Sequence, residues 1–584
     1  MAGILEAGPI AALVAAGLLA LLIAQKLRAR LALSRAKHRS LAGHSRLSRR
    51  IAGLLPRYEY DDAQFFDADD AGAEISGRRR AAFERLSSLL RTTGARTVGR
   101  TAEATPYISD LQFTESYRVP FQFSPRVKAQ LPAGSFVAAS SGVQVTDLDG
   151  HARYDLTGSY GVNLLGNDFY KDCMERGARR VAALGPVLGS YPSLLADNAA
   201  RLARISGKAE VSFHMSGTEA VMQAVRLARF HTRRSHLVRF CGAYHGWWGD
   251  VQPGVGNPVP AHDTYTLADM SRATLAVLRT RGDIACVLVN PIQALHPNNG
   301  APADSTLVHS RPDKSVDRAA YAAWLKELRA VCTERGIVLI FDEIFVGFRL
   351  ARGGAQEYFG VKADMVTYGK TVGGGFPIGV VCGDHRLMKR YREDRPADIC
   401  FARGTFNSHP YVMAAMNEFL LHLDTPEMAA LYSDLDATWA RRTDSLNRRL
   451  AERGLPLRIA HLSSIWTVCH TASSRYNWMF QYYLKAAGLA LSWIGTGRLM
   501  FSLNFSEVDF EAVAERFLSA AEAMRHDGWW ETGALGTDRA VKRRILREML
   551  SHAVAPWLPG WFPGRSPGKR PVDLAAGRPL DARL

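Results

Sequence analysis

The sequence predicts an α/β protein with a large, mostly parallel sheet, a smaller α+β part and a membrane-spanning helix at the N-terminus. Strand and helix patterns alternate from about 166 to 420, as a parallel sheet with crossover helices requires. Within this region the run 337–341 is wholly apolar and is bounded by Gly336 and Asp342, which is typical of a strand buried on both faces. The uncharged apolar segment 7–24 is close to the shortest helix that can cross a bilayer.

Positive charge follows the N-terminal apolar segment rather than preceding it. Seven Lys, Arg and His residues fall between Lys26 and Arg39, and no acidic residue follows them before Glu59. A signal peptide carries its positive charge before the apolar run. The positive-inside rule therefore predicts a single-pass, membrane-anchored protein with a cytoplasmic catalytic part. The alternatives are an amphipathic segment that lies on the membrane and a segment that is cleaved.

Composition limits the classes of function. A chain of 584 residues, 47% of them hydrophobic, can bury a large core and suggests two or more domains. The net charge of +17 is concentrated after the apolar segment, where it suits an anionic lipid surface. No aromatic-interleaved basic motif supports nucleic-acid binding, and a solvated basic face stays an alternative. The seven cysteines lie far apart, which predicts a reducing compartment, no disulfide framework and no metal site.

The regions around the predicted sheet show simpler patterns. Residues 41–105 are predicted to form a helical connector, with a loop at 63–70. The segment 143–156 alternates around an Asp-Gly turn and predicts a β-hairpin of the smaller domain. Helical patterns at 428–450 and 508–524 complete that domain.

A loop that leads into a helix is predicted at 213–229. A short apolar stretch ends in Ser216-Gly217-Thr218, and apolar residues then recur every three or four positions. The unpaired N–H groups and the positive dipole end of a helix N-terminus can hold a phosphate. A plain helix N-cap, with Glu219 in the first turn, is the alternative on this motif alone.

Asp342 is predicted at the carboxyl end of a central strand, where open α/β sheets bind their ligands. A buried carboxylate needs a cationic partner, because an unpaired buried charge is costly. A protonated pyridine nitrogen would be such a partner, and the carboxylate would keep the ring protonated as an electron sink. An Asp that pairs with a structural Arg or caps a helix is the alternative.

Lys370 follows the apolar run 363–367 and precedes the glycine-rich turn 373–375. An amine at a strand end, beside a backbone that can fold tightly over a ligand, is placed to form a Schiff base. For a single lysine, a solvated surface charge is the alternative. Together with the phosphate loop and the ring-nitrogen acid, however, Lys370 predicts a site for pyridoxal 5′-phosphate.

The order of these motifs resembles that in the class III, fold-type I pyridoxal phosphate aminotransferases, a family that includes glutamate-1-semialdehyde aminomutase. The resemblance covers roughly Val119 to Met524 and is specific, because several separated motifs agree. It implies a large domain built on a mostly parallel sheet, a smaller α+β domain, and pyridoxal 5′-phosphate as the cofactor. No metal is implied.

The resemblance assigns four residues to the phosphate of the cofactor. Ser216, Gly217 and Thr218 would bind it from the same subunit. Thr405, in the segment Arg403-Gly404-Thr405-Phe406, would be donated by a neighbouring subunit. The resemblance therefore implies that the active sites need a homodimer.

The resemblance assigns five further residues to the ring. Tyr244 would lie on one face of the pyridine and Ile344 on the other. Asp342 would pair with the ring nitrogen, and His245 would support the site, with a structural histidine as the alternative. Lys370 would carry the cofactor and, once released from it, serve as the general base.

Two departures from the family pattern bear on the contacts with the cofactor and with the substrate. Many relatives carry Glu-Pro after the strand that precedes the Asp strand, but here the strand 284–289 ends in Asn290-Pro291. Gln293 is then a candidate for a contact with the cofactor hydroxyl. The C-terminal segment does not match the arginine-bearing segment of the ornithine and γ-aminobutyrate branch, so the resemblance implies no arginine for the substrate carboxylate. Arg349 and Arg498 are candidates only, with structural ion pairing as the alternative.

Three functional hypotheses follow. The first is an aminotransferase that moves an amino group between a small-molecule amino donor and an aldehyde or ketone acceptor. The second is an isomerase of the aminomutase kind, which uses the same lysine. The third is a catalytically silent, membrane-tethered scaffold, which the intact Lys370, Asp342 and Ser216-Gly217-Thr218 disfavour. The segment 404–410 is also similar to aminotransferase modules of polyketide and nonribosomal peptide assembly lines, so an acyl-chain or carrier-linked oxo substrate is a hypothesis.

The predicted domain organisation has six parts. They are a transmembrane anchor at 1–25, a basic juxtamembrane helical connector at 26–110, the N-terminal part of the small domain at 111–165, the large cofactor domain at 166–420, the C-terminal part of the small domain at 421–540, and a tail at 541–584. The tail is rich in Pro, Gly and Arg, and its part after Ala553 is predicted to be partly disordered or bound to a surface.

Overall fold

The computed structural model describes residues 7–117, 119–132, 134–252, 254–295, 317–491, 497–533 and 535–554. Its N-terminal part is helical. The helices in chain order are α1 (Ala7–Ala36), α2 (Ser45–Leu54), α3 (Asp62–Phe66), α4 (Ala73–Thr93), α5 (Ala95–Ala104), α6 (Ser109–Tyr117) and α7 (Ser124–Gln130).

Helix α1 is longer than the apolar segment from which it was predicted. It runs without a break for 30 residues, about 45 Å, into the basic region. Its stretch Ala12–Ala36 has the length and the composition of a membrane span, and the most apolar part of that stretch is not buried in the protein. Length and composition alone do not distinguish an anchor from a signal sequence.

Helix α3 corrects the prediction of a loop at 63–70. Asp61 caps the helix by accepting a hydrogen bond from the Gln64 N–H, and the Gln64 side chain accepts one from the Asp61 N–H. This capping box satisfies two otherwise unpaired donors and explains the short helix. Its two phenylalanines, Phe65 and Phe66, are buried.

A small sheet precedes the large one along the chain. Its first strands are β1 (Val137–Ser141), β2 (Gln144–Asp147) and β3 (Ala152–Asp155), followed by α8 (Asn167–Val181) and α9 (Leu194–Ser206). The predicted hairpin is confirmed, because β2 and β3 pair antiparallel around a turn in which Gly150 has φ 88°. Strand β1 adds to the free edge of β2.

The next elements build the large sheet and its crossover helices. They are β4 (Glu210–His214), α10 (Gly217–Thr232), β5 (His236–Phe240), β6 (Thr264–Leu267), α11 (Arg272–Thr280), β7 (Ile284–Val289), α12 (Arg318–Arg335), β8 (Val338–Asp342), α13 (Gly354–Phe359), β9 (Met365–Gly369) and β10 (Gly379–Gly383).

The prediction of a mostly parallel sheet is confirmed. The sheet has seven strands in the order β4-β10-β9-β8-β7-β5-β6. Only β10 runs against its neighbours, β4 and β9. The other six strands therefore share one direction, and their carboxyl ends lie at one edge. Strands β7, β8 and β9 are buried along their whole length, which explains their apolar sequences.

The C-terminal part is mainly helical. It contains α14 (His385–Met388), α15 (Pro410–His422), α16 (Pro426–Glu452), β11 (Leu457–Leu462), β12 (Ile465–His470), α17 (Phe480–Ala486), β13 (Leu489–Ala490), β14 (Arg498–Met500), α18 (Glu507–His526) and α19 (Asp538–Val554). Strands β11, β12 and β14 form an antiparallel sheet, and β13 joins the small sheet beside β3. Of the tail predicted from 541, the residues from 555 on lie outside the described part of the chain.

Candidate active site

Four of the predicted site residues lie where strands of the large sheet end. Ser216 follows β4, Tyr244 follows β5, Asp342 ends β8 and Lys370 follows β9. Because these strands run in the same direction, the four positions fall on one edge of the sheet, where open α/β sheets bind ligands.

Asp342 is buried and is held on both carboxylate oxygens. His245 Nδ1 lies 2.7 Å from Oδ2, and the Ile344 N–H donates to Oδ1 over 3.2 Å. The Thr367 hydroxyl, on the neighbouring strand, donates to Oδ1 over 3.4 Å. These contacts fix the orientation of the carboxylate at the strand end.

His245 leaves that carboxylate its negative charge. Burial lowers the pKa of the buried imidazole, although the contact with Asp342 opposes this shift. A neutral ring donates through Nδ1 and neutralises nothing. Within the described residues, His245 Nε2 has no hydrogen-bond partner. Asp342 can therefore attract a further cation.

The segment that follows β4 forms the N-terminus of α10. The Ser216 hydroxyl accepts a hydrogen bond from the Glu219 N–H over 3.2 Å, and the Glu219 carboxylate accepts one from the Met215 N–H. The N-cap considered as the alternative to a phosphate site is therefore present. It does not exclude an anion, because Gly217 and Thr218 stand in the first turn, whose N–H groups have no acceptor within the helix.

Two glycines allow this turn to approach its neighbours closely. A Cβ atom on Gly217 would lie 2.7 Å from Ile344 Cγ2. A Cβ atom on Gly246, where φ is 92°, would lie 2.6 Å from Thr218 Oγ1. The structure therefore brings the turn after β4 against both the turn after β8 and the loop after β5.

Lys370 is the first residue of a 3₁₀ turn, Lys370–Gly373, and has φ 50°. Its Nζ lies 4.7 Å from the centre of the Phe345 ring. The side chain keeps some contact with solvent, but protein atoms surround the amine. This burial lowers the pKa of Lys370 to about 8; Asp342 opposes the shift, and Arg349 and Arg498 add to it.

Tyr244 is 61% exposed, so its ring is open to a ligand. Its carbonyl accepts a hydrogen bond from the Asn290 amide over 3.0 Å. The residue that replaces the glutamate of many relatives therefore holds the loop that carries Tyr244. The Gln293 amide donates to the Cys241 carbonyl over 3.0 Å in the same way. Gln293 Oε1 is buried and has no partner among the described residues.

Arg349 is held by neutral acceptors from several parts of the fold. It is fully buried and donates to the carbonyls of Phe501, Asn163 and Gly161 and to the Ser464 hydroxyl. The ion pairing considered for it is thus replaced by bonds to neutral acceptors. These bonds connect the large sheet to both parts of the chain that form the smaller sheets.

The loop 158–161 was missed from the sequence. Its four residues all have positive φ, and a Cβ atom on Gly161 would lie 2.7 Å from the Phe345 ring and 3.4 Å from Lys370 Cδ. The loop therefore lies against the Phe345 ring and the Lys370 side chain. The glycines that bracket Ser159 and Tyr160 were the available signal, because glycine accepts positive φ readily.

Thr405 makes no hydrogen bond to these residues in the described part of the chain and is exposed. It lies in an exposed loop, in which Phe401 is 71% and Phe406 53% exposed. Large exposed aromatic side chains are enriched at interfaces.

The sequence matches a known family over most of its length. Residues 126–520 match the family model described as aminotransferase class-III. A glutamate-1-semialdehyde 2,1-aminomutase from Alkaliphilus oremlandii is 33% identical over 332 residues, which cover 54% of this chain and 72% of the relative. One from Methanothermobacter thermautotrophicus is 32% identical over 381 residues, which cover 62% of this chain and 83% of the relative.

Solved structures show the same fold. A β-phenylalanine aminotransferase from Variovorax paradoxus superposes with a TM-score of 0.61 at 23% identity, covering 77% of this chain and 98% of the other. A glutamate-1-semialdehyde aminomutase from Pseudomonas aeruginosa PAO1 superposes with a TM-score of 0.60 at 19% identity, covering 77% of this chain and 99% of the other. The chain therefore belongs to the class III aminotransferases, α/β enzymes of fold type I whose cofactor is pyridoxal 5′-phosphate.

Proposed function

We propose that this enzyme transfers an amino group between a small-molecule amino donor and an aldehyde or ketone. The observation that carries the proposal is the position of a buried amine, Lys370, near the carboxylate of Asp342 on the adjacent strand. The pKa of this amine is lowered to about 8. A neutral amine beside a fixed negative charge is what proton transfer at a carbon next to nitrogen requires.

The side chains at this edge fit pyridoxal 5′-phosphate. The α10 N-terminus, with Ser216, Gly217 and Thr218, offers N–H groups and a positive dipole end to a phosphate. The close approach that Gly217 permits sets Ile344 beside this turn.

The ring of the cofactor has matching partners. Asp342 offers a charge for the ring nitrogen, supported by His245, and the exposed Tyr244 offers a flat face. Lys370 would bind the cofactor covalently.

The chemistry divides between cofactor and chain. When bound, pyridoxal 5′-phosphate supplies an electron sink for the charge left on the substrate carbon. Lys370 Nζ would accept the proton from the substrate carbon that bears the amine and return it on the other side of that nitrogen. Asp342 would hold the compensating positive charge in place, and the loop 158–161 lies against the Lys370 side chain.

An aminomutase is the second candidate. The curated relatives that support it are glutamate-1-semialdehyde 2,1-aminomutases at 33% and 32% identity. The described residues do not separate the two reactions, because both need the same lysine and the same acid. A silent scaffold is disfavoured by the assembled site.

Product analysis separates the candidates. The purified, cofactor-loaded enzyme is mixed with a panel of amino donors while absorbance and products are followed. Transfer predicts loss of the bound cofactor's absorbance and release of a separate oxo compound. Rearrangement without a released co-product identifies an aminomutase, and an enzyme that fails to bind the cofactor at all contradicts both.

The acceptor is proposed to be an acyl-chain or carrier-linked oxo compound. The support is the similarity of the segment 404–410 to assembly-line aminotransferase modules, together with the proposed anchor. Rates with long-chain and short oxo acceptors test this. Efficient amination of small free keto acids alone would rule it out.

We also propose a single-pass anchor with the catalytic part in the cytoplasm. The exposed apolar part of α1 and the basic residues after it support this topology. A homodimer is proposed because Thr405 and its aromatic neighbours are exposed in the single chain.

The proposed domain division follows the sheets. The large sheet lies within 166–420, and the pairing of β13 with β3 supports treating 111–165 and 421–540 as one small domain.

A further inference from the structure

Helix α1 enters the catalytic body without a linker. Ala29, Ala32 and Leu33 are half-buried and Ala36 is fully buried, so one face of the last two turns packs on the body. The Ala36 carbonyl accepts a hydrogen bond from the Ala268 N–H over 2.8 Å, just before α11. The end of the helix is therefore fixed to the body, and the direction in which the helix leaves the body is fixed as well.

The docked face starts close to the end of the apolar run. Lys26 is the first charge after that run, and Ala29 follows three residues later, a rise of about 4.5 Å. The polar layer on each side of a bilayer is roughly 5–8 Å thick. If the apolar run spans the hydrocarbon, as the proposed anchor requires, the protein body begins inside the headgroup layer.

The basic side chains around this junction are not neutralised by the protein. Nine Lys and Arg residues lie between Lys26 and Arg50, and the same stretch contains no Asp or Glu. None of the nine comes within the 4.0 Å ion-pair distance of a carboxylate in the described part of the chain. This excess charge complements an anionic lipid surface.

Helix α2 extends this surface with an apolar stripe. Ser48 faces the body and is buried, whereas Leu47 is 51% and Leu54 78% exposed. The two leucines are seven residues apart and therefore lie on the same face of the helix. Arg46 and Arg50 are exposed beside them. Leucines flanked by arginines on an outward face are typical of helices that lie in a membrane interface.

We propose that α2 lies in the headgroup layer of an anionic membrane, with Leu47 and Leu54 in the lipid and Arg46 and Arg50 at the phosphates. This second contact, added to α1, holds the catalytic body in one orientation on the bilayer. The proposal rests on the membrane anchor under the proposed function. It goes beyond that anchor, because a spanning helix alone leaves α2 in water.

The segment that joins α1 to α2 lies near the start of the loop that carries Tyr244. Between α1 and α2, the Ser40 hydroxyl lies 3.9 Å from Cys241 Sγ. Tyr244 is only three residues further along the chain, within about 10 Å.

Fluorescence quenching by lipid tests the contact. The full-length, cofactor-loaded Leu54→Cys variant is labelled with an environment-sensitive dye; all seven native cysteines are buried, which favours labelling at position 54. Vesicles contain phosphatidylcholine, phosphatidylglycerol and a nitroxide-labelled lipid. The matched control is Val508→Cys, an exposed apolar position at the start of α18. We expect quenching at 54 to be roughly threefold or more that at 508.

The outcomes are distinct. Equal quenching at 54 and 508 in protein that floats with the vesicles overturns the α2 contact and leaves the anchor intact. Protein that does not float with vesicles contradicts the anchor itself, and the α2 contact with it.

A charge variant gives a second measurement. Arg46→Gln with Arg50→Gln should reduce the quenching at position 54 in vesicles with phosphatidylglycerol and leave it unchanged in phosphatidylcholine alone. Arg57→Gln is the control, because Arg57 already pairs with Glu59 over 2.8 Å. The lipid contact is contradicted if the double variant and Arg57→Gln change the quenching at position 54 by the same amount.

Discussion

Lys370 and Asp342 stand at the ends of adjacent strands, and their surroundings act on the lysine in opposite ways. Burial removes water from the amine and favours its neutral form, while the carboxylate favours the cation. Burial is the larger effect, so the pKa of Lys370 falls to about 8. The amine can then exist in both forms near neutral pH, as a residue that accepts and returns a proton must.

The first prediction concerns the pH dependence of cofactor capture. Only the neutral amine attacks an aldehyde, so below its pKa the capture rate should rise about tenfold per pH unit. With the pKa of Lys370 at about 8, the rise should level off near pH 8. A solvated lysine would continue to rise to about 10.4. Stopped-flow absorbance of the apoenzyme mixed with pyridoxal 5′-phosphate measures this, and Lys370→Ala should show no covalent capture.

The second prediction concerns the acid. Asp342→Asn keeps the size of the side chain but removes its charge, and a hydrogen bond to a charged group contributes about 1.5–3 kcal/mol. We therefore expect kcat to fall roughly 10- to 150-fold while Lys370 still binds the cofactor. Thr367→Val, which removes only the long 3.4 Å bond to the same carboxylate, is the matched control. Equal rates for both variants would exclude a role for the charge.

At the scale of the elements, the turn after β4 depends on close packing. The third prediction is that Gly246→Ala raises the dissociation constant of pyridoxal 5′-phosphate about tenfold or more, because the new Cβ would displace Thr218. Gly256→Ala is a matched control: its φ is 93°, against 92° at Gly246, and nothing lies within 4 Å of the added atom. Both variants carry the same backbone strain. Titration of the apoenzyme with pyridoxal 5′-phosphate should therefore separate the effect of backbone strain from that of the contact with Thr218.

Elements that carry strong local signals could be predicted from the sequence. Strand β7 was placed at its observed bounds, and β8 within one residue, because uninterrupted apolar runs with polar ends have few other structures. The site residues at strand ends followed from those strands. Helix α3 was missed because its evidence is a two-residue capping box, Asp61 and Gln64, rather than a periodic pattern.

Contacts between distant segments could not be predicted in the same way. The bond from Asn290 to the Tyr244 carbonyl joins residues 46 positions apart, and those of Arg349 reach Phe501, 152 positions away. Nothing in the local sequence distinguishes such a buried arginine from a substrate ligand. The positive φ values of Ser159 and Tyr160 are also set by the fold, because such residues rarely adopt them alone.

At the scale of the whole molecule, the N-terminal helices are fastened to the C-terminal part by buried charge. Arg79 and Asp69 are fully buried and form a two-point pair, with 2.7 and 2.9 Å bonds. Arg79 also donates to the carbonyls of Gly528 and Glu531. Residues outside the family match, at both ends of the chain, are thus part of one folded body.

The fourth prediction follows from this pair. Asp69→Asn leaves the Arg79 charge buried without its counter-charge, which should lower the free energy of unfolding by about 3–5 kcal/mol. Asp62→Asn is the control, because Asp62 pairs with Arg80 and Arg126 at the surface and should cost about 1 kcal/mol or less. Urea denaturation measures both. A loss at position 69 no larger than at 62 would show that the pair does not hold the N-terminal helices.

The fifth prediction tests whether two subunits share each active site. In the proposed dimer, Lys370 of one subunit works with the Thr405 that its neighbour donates. Lys370→Ala should abolish turnover, and Thr405→Ala should be nearly inactive at limiting cofactor, because it loses a phosphate contact. A hybrid of the two variants has one site with both residues intact and one with neither. When equal amounts of the two variants reassociate at random, half of the dimers are hybrids. Because each hybrid has one intact site of two, activity should return to about a quarter of the wild-type value. If Thr405 serves its own subunit, every site in the mixture carries a lesion and no activity returns.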